Sequence, residues 1–351
     1  MRVSVEEKKL ISTFGRFAAA AIGLAILPTV AAAQTPADFY KGKTITVTIG
    51  FPPGGGYDTN ARILARHMGR YIPGQPTMVP ANMPGAGSLV AANFTYNLAP
   101  ADGTVFTIFA PSTAMEPIFN NKAARFEAAK FGWLGSMAQE VSYCGIWQGP
   151  GVATSWDEAM KKETIFGGGA TSAITYQHPM VLKNVLGAKI KVIPGYPGTR
   201  DINLAMQRGE VNGSCGLFES SIASQWHNEV DSGKLKLVIQ MGAKTTDRYG
   251  KVPSVFDYAK TEEQKQILDI HFGQLLLSRP FAAPPKVPAD RLAALRKAFM
   301  ETMKDKDFLA DAAKAGLEID PVTGEDVQAL LAKFANYPPE VLRKADEAMG
   351  R

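Results

Sequence analysis

The 351-residue sequence predicts an α/β protein built as two lobes. Three observations carry that expectation. Strand, loop and helix patterns alternate from Thr44 onward. The alternation restarts near Val141, and each half holds a triple-glycine loop between a strand and a helix. The 318 residues that follow Ala33 also exceed what one hydrophobic core comfortably serves.

The first 33 residues read as separate from the fold. Lys8, Lys9 and Arg16 precede an apolar run from Phe17 to Ala33, which ends in small residues with Ala31 and Ala33 spaced for cleavage. A basic start, an apolar middle and a small-residue exit describe a secretory signal peptide, cut near Ala33-Gln34. As a membrane anchor the run is too short: it has 17 residues, is broken by Pro28, and about 20 are needed to span a bilayer. No lipobox cysteine stands near the cut and no later apolar run is long enough to cross a bilayer, so a soluble product is expected. Removing the leader lowers the formal charge from +5 to about +3, too mild and too scattered for a nucleic-acid partner.

The first half opens with a β-branched strand, Thr44–Ile49, followed by Phe51-Pro-Pro-Gly-Gly-Gly56. Ala61, Leu64, Ala65 and Met68 then recur at helical spacing across Tyr57–Tyr71. A strand at Thr77–Pro80, a glycine-rich turn at Pro84–Gly87, a small-residue helix over Ser88–Leu98 and a strand at Thr104–Phe109 follow, ending in a loop at Pro111–Thr113. This order predicts a parallel sheet. The second half reads as strands at Val141–Trp147, Glu163–Phe166, Lys189–Ile193, Val211–Phe218 and Leu235–Met241. Its helices are Thr171–Leu186, despite Pro179, and Thr199–Arg208, stopped by Gly209. The tail predicts a strand within His271–Arg279, a proline-stiffened approach, and helices over 289–304, 306–315, 324–335 and 338–349.

The paired glycine loops are the most informative feature. Glycine lets a chain turn tightly and approach a ligand closely. The helix that follows offers unpaired N–H groups and the positive end of its dipole, a seat for an anion. Two facing loops would hold one carboxylate between lobes, beyond the carboxyl ends of the strands. Glycines that serve turn geometry alone are the plain alternative. Neither loop is a P-loop, since no Gly-Lys-Ser/Thr follows, and neither has dinucleotide-binding spacing. The four histidines lack metal or protease spacing, no Gly-x-Ser-x-Gly elbow occurs, and Cys144 has no patterned base, so neither an enzyme, a metal site nor a cofactor is expected. Cys144 and Cys215 lie in strand-like segments; a disulfide and two buried thiols are both open.

Ile45–Arg62, reading ITVTIGFPPGGGYDTNAR, resembles the opening motif of the tripartite tricarboxylate transporter solute receptors, the Bug-type binding proteins. Asn82-Met-Pro-Gly-Ala-Gly87, Asp102-Gly-Thr104, and Ile193-Pro-Gly-Tyr-Pro-Gly-Thr199 followed by Gly209-Glu-Val211 are similar to further stretches of that family, in order from about Thr44 to the C-terminus. The resemblance implies a type II periplasmic-binding-protein fold, two α/β lobes joined by a two-strand hinge. We place lobe one at 34–138 and 243–351 and lobe two at 139–242, with crossings near Ser136–Val141 and Met241–Lys244. Carried over residue by residue, the family's ligand loops correspond to Phe51, Pro52, Pro53, Tyr57, Asp58 and Thr59 in lobe one. In lobe two they correspond to Ala170, Thr171, Ser172, Tyr196, Gly198 and Thr199.

Arg200 stands where many relatives have a small residue; it suits a second carboxylate or simply faces solvent. Tyr57 replaces a commoner small residue, which fits a bulkier or aromatic ligand or a different lid. Ser112 and Thr113 either hydrogen-bond the ligand or cap their loop, and Asp58 equally suits capping the first helix. The expected protein is therefore a monomeric periplasmic receptor that delivers a small carboxylate to a two-subunit membrane permease. A ligand-responsive sensor module is the competing reading.

Overall fold

The computed structural model describes residues 34–171 and 173–350; the expected signal peptide and Ser172 lie outside the described residues. The strands are β1 (Thr44–Ile49), β2 (Thr77–Asn82), β3 (Val105–Ile108), β4 (Gly132–Ser136), β5 (Ser142–Trp147), β6 (Thr164–Gly167), β7 (Ile190–Ile193), β8 (Gly213–Phe218), β9 (Leu235–Met241), β10 (Pro280–Ala283) and β11 (Val322–Thr323). They form a six-stranded sheet in the order β11-β4-β10-β3-β1-β2 and a five-stranded sheet in the order β7-β6-β8-β5-β9.

The parallel order expected over Thr44–Phe109 is what β1, β2 and β3 form, and later strands make both sheets mixed. β1 pairs in parallel with β2 and β3, and β6 with β7 and β8, because a helix carries the chain back after each of these strands. In the first sheet β10 runs antiparallel to both β3 and β4, so β4 keeps the direction of β1–β3, and β11 pairs antiparallel with β4. In the second sheet β5 runs antiparallel to both β8 and β9, so β9 keeps the direction of β6–β8. The chain passes from β4 in one sheet to β5 in the other through only residues 137–141, with no crossover helix to turn it parallel.

Alternation along β1 sends Ile45, Val47 and Ile49 into one core with Leu64, Phe106, Phe281 and Phe299. Helices Gly56–Met68 and Ala289–Thr302 cover that face, while Leu89–Asn97 and Gly324–Ala335 cover the other. In the second sheet Cys144, Phe166 and Cys215 share a core with Val181 and Leu182 of helix Ile174–Leu186. Cys144 and Cys215 are register partners on β5 and β8 and are joined by a disulfide, Sγ–Sγ 2.03 Å.

Residues 271–279 depart from the sequence expectation. His271 lies in helix Glu262–Gly273, a tight turn occupies Gln274–Leu277, and β10 begins only at Pro280. A short apolar run does not reveal its period. Here Thr261 caps a helix, its side chain accepting from the Gln264 N–H, and Ile267, Leu268 and Phe272 bury against Val181, Leu182, Val341 and Ala345. Helices Glu262–Gly273 and Pro339–Ala348 thus both pack on Ile174–Leu186, and one core runs beneath both sheets. No helix among the described residues is long and apolar enough to cross a membrane.

His178 sits in this shared core, 3% exposed, with Nδ1 3.3 Å from Ser142 Oγ and its ring edge-on to Phe272. Burial, helped by the charge of His271, lowers its imidazole from 6.5 to about 3. Below about pH 6.5 the unfolded chain takes up a proton that the native chain refuses, so stability falls as pH falls toward 3. At pH 5 this one group is expected to cost about 2 kcal/mol relative to pH 7.5. Urea titrations of the protein and of His178→Gln at both pH values check this; an equal pH-dependent loss in the two proteins would show that His178 does not contribute.

Candidate functional site

In open α/β sheets, ligands lie beyond the carboxyl ends of the strands where the strand order reverses. The first sheet reverses between β1 and β3, the second between β6 and β8. The loops at these four strand ends meet around a cleft of about 410 Å3. Of the residues expected from sequence, the cleft is lined by Phe51 and Tyr57 after β1, Ser112 after β3, Ala170 after β6, and Tyr196, Gly198 and Thr199 after β7.

Other expected residues are not among the lining. Pro52 and Pro53 are exposed on the β1 loop, Thr171 is exposed, and the Thr59 hydroxyl donates to Gly55 O at 3.1 Å. Thr113 is 3% exposed and is bound to Ser88 Oγ (2.9 Å) and Gly87 O (2.8 Å), so it ties two loops together. Pro111–Met115, expected as a loop, is a one-turn helix begun by its proline. Arg200 is the second residue of helix Thr199–Gln207.

Asp58 is 4% exposed and faces its own loop. It accepts from Gly54 N–H (2.9 Å), Arg62 Nε (2.9 Å) and Asn82 Nδ2 (2.8 Å). Burial pushes its carboxyl upward, but these donors and the Arg62 charge outweigh that and hold it below the usual range. Asp58 is therefore the brace of the glycine loop. Gly54, at φ +85°, is the residue that lets the chain reverse there. Asn82 also donates to Phe51 O at 2.9 Å, which fixes the backbone of the first cleft aromatic.

Three N–H groups of the two glycine loops are already used within the protein. Gly54, Gly168 and Gly169 N–H groups are spent on Asp58 Oδ2, Ile193 O (2.8 Å) and Thr175 Oγ1 (3.0 Å). What stays open is the set of helix starts. The helices beginning at Gly56, Pro111, Ile174, Thr199 and Glu219 are preceded by Gly55, Ala110, Ala173, Gly198 and Phe218, and none of these makes a side-chain cap. Away from the cleft, Thr35, Ser155, Thr261, Asp305 and Thr323 each cap their helix with a side-chain oxygen. First-turn N–H groups left without a cap carry the positive end of the helix dipole, so several such ends converge on one cleft.

Sequence reasoning missed the third wall. Gly216, Phe218 and Ser221 line the cleft from β8 and the turn after it, and Ala173, Ile174 and Thr175 from the first turn of helix Ile174–Leu186. Val211–Phe218 reads as a strand in the sequence, and the same switch-point rule applies at its carboxyl end. Gly87 and Ala110 also line the cleft. Gly87 belongs to a turn whose residues Gly85, Ala86, Gly87 and Ser88 all have positive φ (147°, 46°, 64° and 77°). For Ala86 and Ser88 that conformation costs on the order of 1–3 kcal/mol each. Arg279, also missed, lies behind the cleft aromatics, with Cζ 4.8 Å from the Tyr57 ring and 5.8 Å from the Phe218 ring. Burial pushes the Tyr57 phenol up to about 12, against the opposing pull of the Arg279 charge.

A second concavity, of about 660 Å3, is walled by Glu219, Thr246, Arg248 and Glu318. Arg248 pairs with Glu318 within it and Lys244–Asp320 at 3.2 Å lies beside it, while Glu219 and Asp247 leave its wall acidic.

No family model matches the chain. It is 25% identical over 317 residues to the UPF0065 protein in gbd 5'region of Cupriavidus necator, covering 86% of each chain. It is 36% identical over 96 residues to Protein BugT of Bordetella pertussis, covering 27% of this chain and 28% of that one. Among solved structures it is similar to a TctC solute binding protein from Polaromonas (TM-score 0.65, 16% identity, 87% of this chain and 99% of that one). It is also similar to two Rhodopseudomonas palustris proteins. One is MatC with bound malate (TM-score 0.59, 17% identity, 86% of this chain and 99% of that one). The other is Rpa4515 with adipate (TM-score 0.60, 17% identity, 86% and 97%). The chain has the two-lobed α/β fold of periplasmic binding proteins and resembles the Bug-type solute receptors of tripartite tricarboxylate transporters.

Proposed function

We propose that this protein is an extracytoplasmic solute receptor that captures a small carboxylate between two lobes and delivers it to a two-subunit membrane permease of the tripartite tricarboxylate type. One observation carries the reading: the starts of helices Gly56–Met68, Ile174–Leu186 and Thr199–Gln207, from both sheets, meet at a single cleft with no side-chain cap of their own, whereas helices such as Glu262–Gly273 and Lys306–Lys314 away from it are capped by Thr261 and Asp305. An anion satisfies those N–H groups where a serine or aspartate otherwise would. The malate and adipate held by the two R. palustris neighbours are acids of the same class.

In this reading residues 34–138 and 243–351 form one lobe and 139–242 the other, the protein reaches the periplasm through the leader at 1–33, and it works as a monomer. A ligand that contacts both lobes favours the closed form. Closure then presents a composite surface to the permease. In this reading the acid leaves unchanged, as a receptor returns its ligand.

A thermal-melt panel of carboxylates and their amides tests this. At 100 times its dissociation constant, a cognate acid adds about 2.7 kcal/mol and raises the melting temperature, while its amide leaves the melt in place. A panel in which only uncharged solutes raise the melt would overturn the proposal.

A further inference from the structure

Resting on the reading of the cleft as a carboxylate site, the geometry points to an aryl monocarboxylate as the guest, a single carboxylate on an aromatic ring, in preference to an aliphatic di- or tricarboxylate. Each half of the molecule contributes two rings to the cleft, Phe51 and Tyr57 from the β1 end and Tyr196 and Phe218 from the β7 and β8 ends. No acidic or basic side chain stands among the described lining residues. One carboxylate finds the helix N-termini. A second would sit against the rings, where the guanidinium behind them, Arg279, is already paired with Glu140 at 3.0 Å, and burying an unpaired carboxylate is strongly unfavourable. An aromatic body instead gains from ring-on-ring contact with these walls.

The rings are held in place by contacts that a chance apolar lining lacks. Phe51 and Tyr57 stack with centroids 4.1 Å apart at 11°. Asn82 anchors Phe51 through its carbonyl, and Asp58 braces the loop between the two rings. Arg279, 6% exposed, backs both Tyr57 and Phe218, so a wall from each half rests on the same guanidinium. Preorganised aromatic walls lose little on binding and so favour a rigid, flat guest. The cleft, at about 410 Å3, lies at the small end of ligand sites, which run roughly 300–1,000 Å3.

Isothermal titration calorimetry of the purified protein with benzoate, phenylacetate, benzamide, adipate, malate and hexanoate tests the assignment. The expected result is at least tenfold tighter binding of benzoate or phenylacetate than of adipate or malate, with benzamide at least tenfold weaker than benzoate. Tyr57→Leu and, from the other half, Phe218→Leu are each expected to weaken the aryl acid about tenfold while changing hexanoate less than threefold. Adipate or malate binding more tightly than both aryl acids would overturn this inference and leave the carboxylate receptor standing; loss of that binding in Arg200→Ala would then assign the second carboxylate to Arg200. Benzamide matching benzoate, or no acid binding at all, would overturn the carboxylate reading and this inference with it.

Discussion

Replacing Glu140 by glutamine is expected to destabilise the protein by about 3–5 kcal/mol, because it strands a buried guanidinium. Glu140 Oε1 lies 3.0 Å from Arg279 Nη2, with the two side chains 8% and 7% exposed. Arg279 has already used Nη1 on Ser278 O (2.7 Å), and its Nε is buried without a partner. The pair also joins the two chain crossings. Glu140 belongs to the connection from β4 to β5, and Arg279 ends the connection from β9 to β10. Backbone bonds run between the same segments: Met137 N–H to Arg279 O (3.1 Å), Ser278 N–H to Ala138 O (3.2 Å) and Glu140 N–H to Leu275 O (3.1 Å). Urea unfolding measures the loss. The double variant Glu140→Leu/Arg279→Met should recover at least half of it, since an apolar pair of similar volume leaves no unpaired charge. A single-variant cost below about 1 kcal/mol, the range of an exposed pair, would mean that water reaches the hinge.

Reducing the Cys144–Cys215 bridge is expected to cost about 4 kcal/mol, the loop-closure value for its separation of 71 residues. The bridge ties β5, the first strand after the crossing, to β8, whose end carries Phe218 into the cleft. Stability and binding should therefore fall together. Urea midpoints of the oxidised and the reduced, alkylated protein at equal slope check the first, and titration with any acid that raises the melt of the oxidised protein checks the second. Equal midpoints would show that the native strand pairing closes this loop without help from the bridge.

Much of the architecture was legible because local chemistry settles it. The β-branched run Thr44–Ile49 forms β1 as its pattern demands, Leu235–Met241 forms β9 over the same residues, and helices at 289, 306, 324 and 339 begin within a residue of their sequence signals. Fold class followed from that alternation. The segment 271–279 departs from the strand expectation because the short stretch Phe272-Gly-Gln-Leu-Leu-Leu277 shows no period, and only the helices packed around it select a helical turn over a strand.

For the site, Phe51, Tyr57, Ala170, Tyr196, Gly198 and Thr199, which the family resemblance implied as ligand-loop residues, line one cleft. Sequence alone therefore determined which strand ends carry glycine loops followed by helix starts, since both are written in consecutive residues. Tertiary structure decided everything that depends on residues far apart in the chain: that Asp58 turns inward to Arg62 and Asn82, that Phe218 and Ser221 complete the wall, and that Arg279 meets Glu140 beneath Tyr57. The reason is physical. A helix start advertises itself locally through its capping residue, whereas a buried charge or an aromatic wall acquires its role only from neighbours that folding brings within a few ångströms.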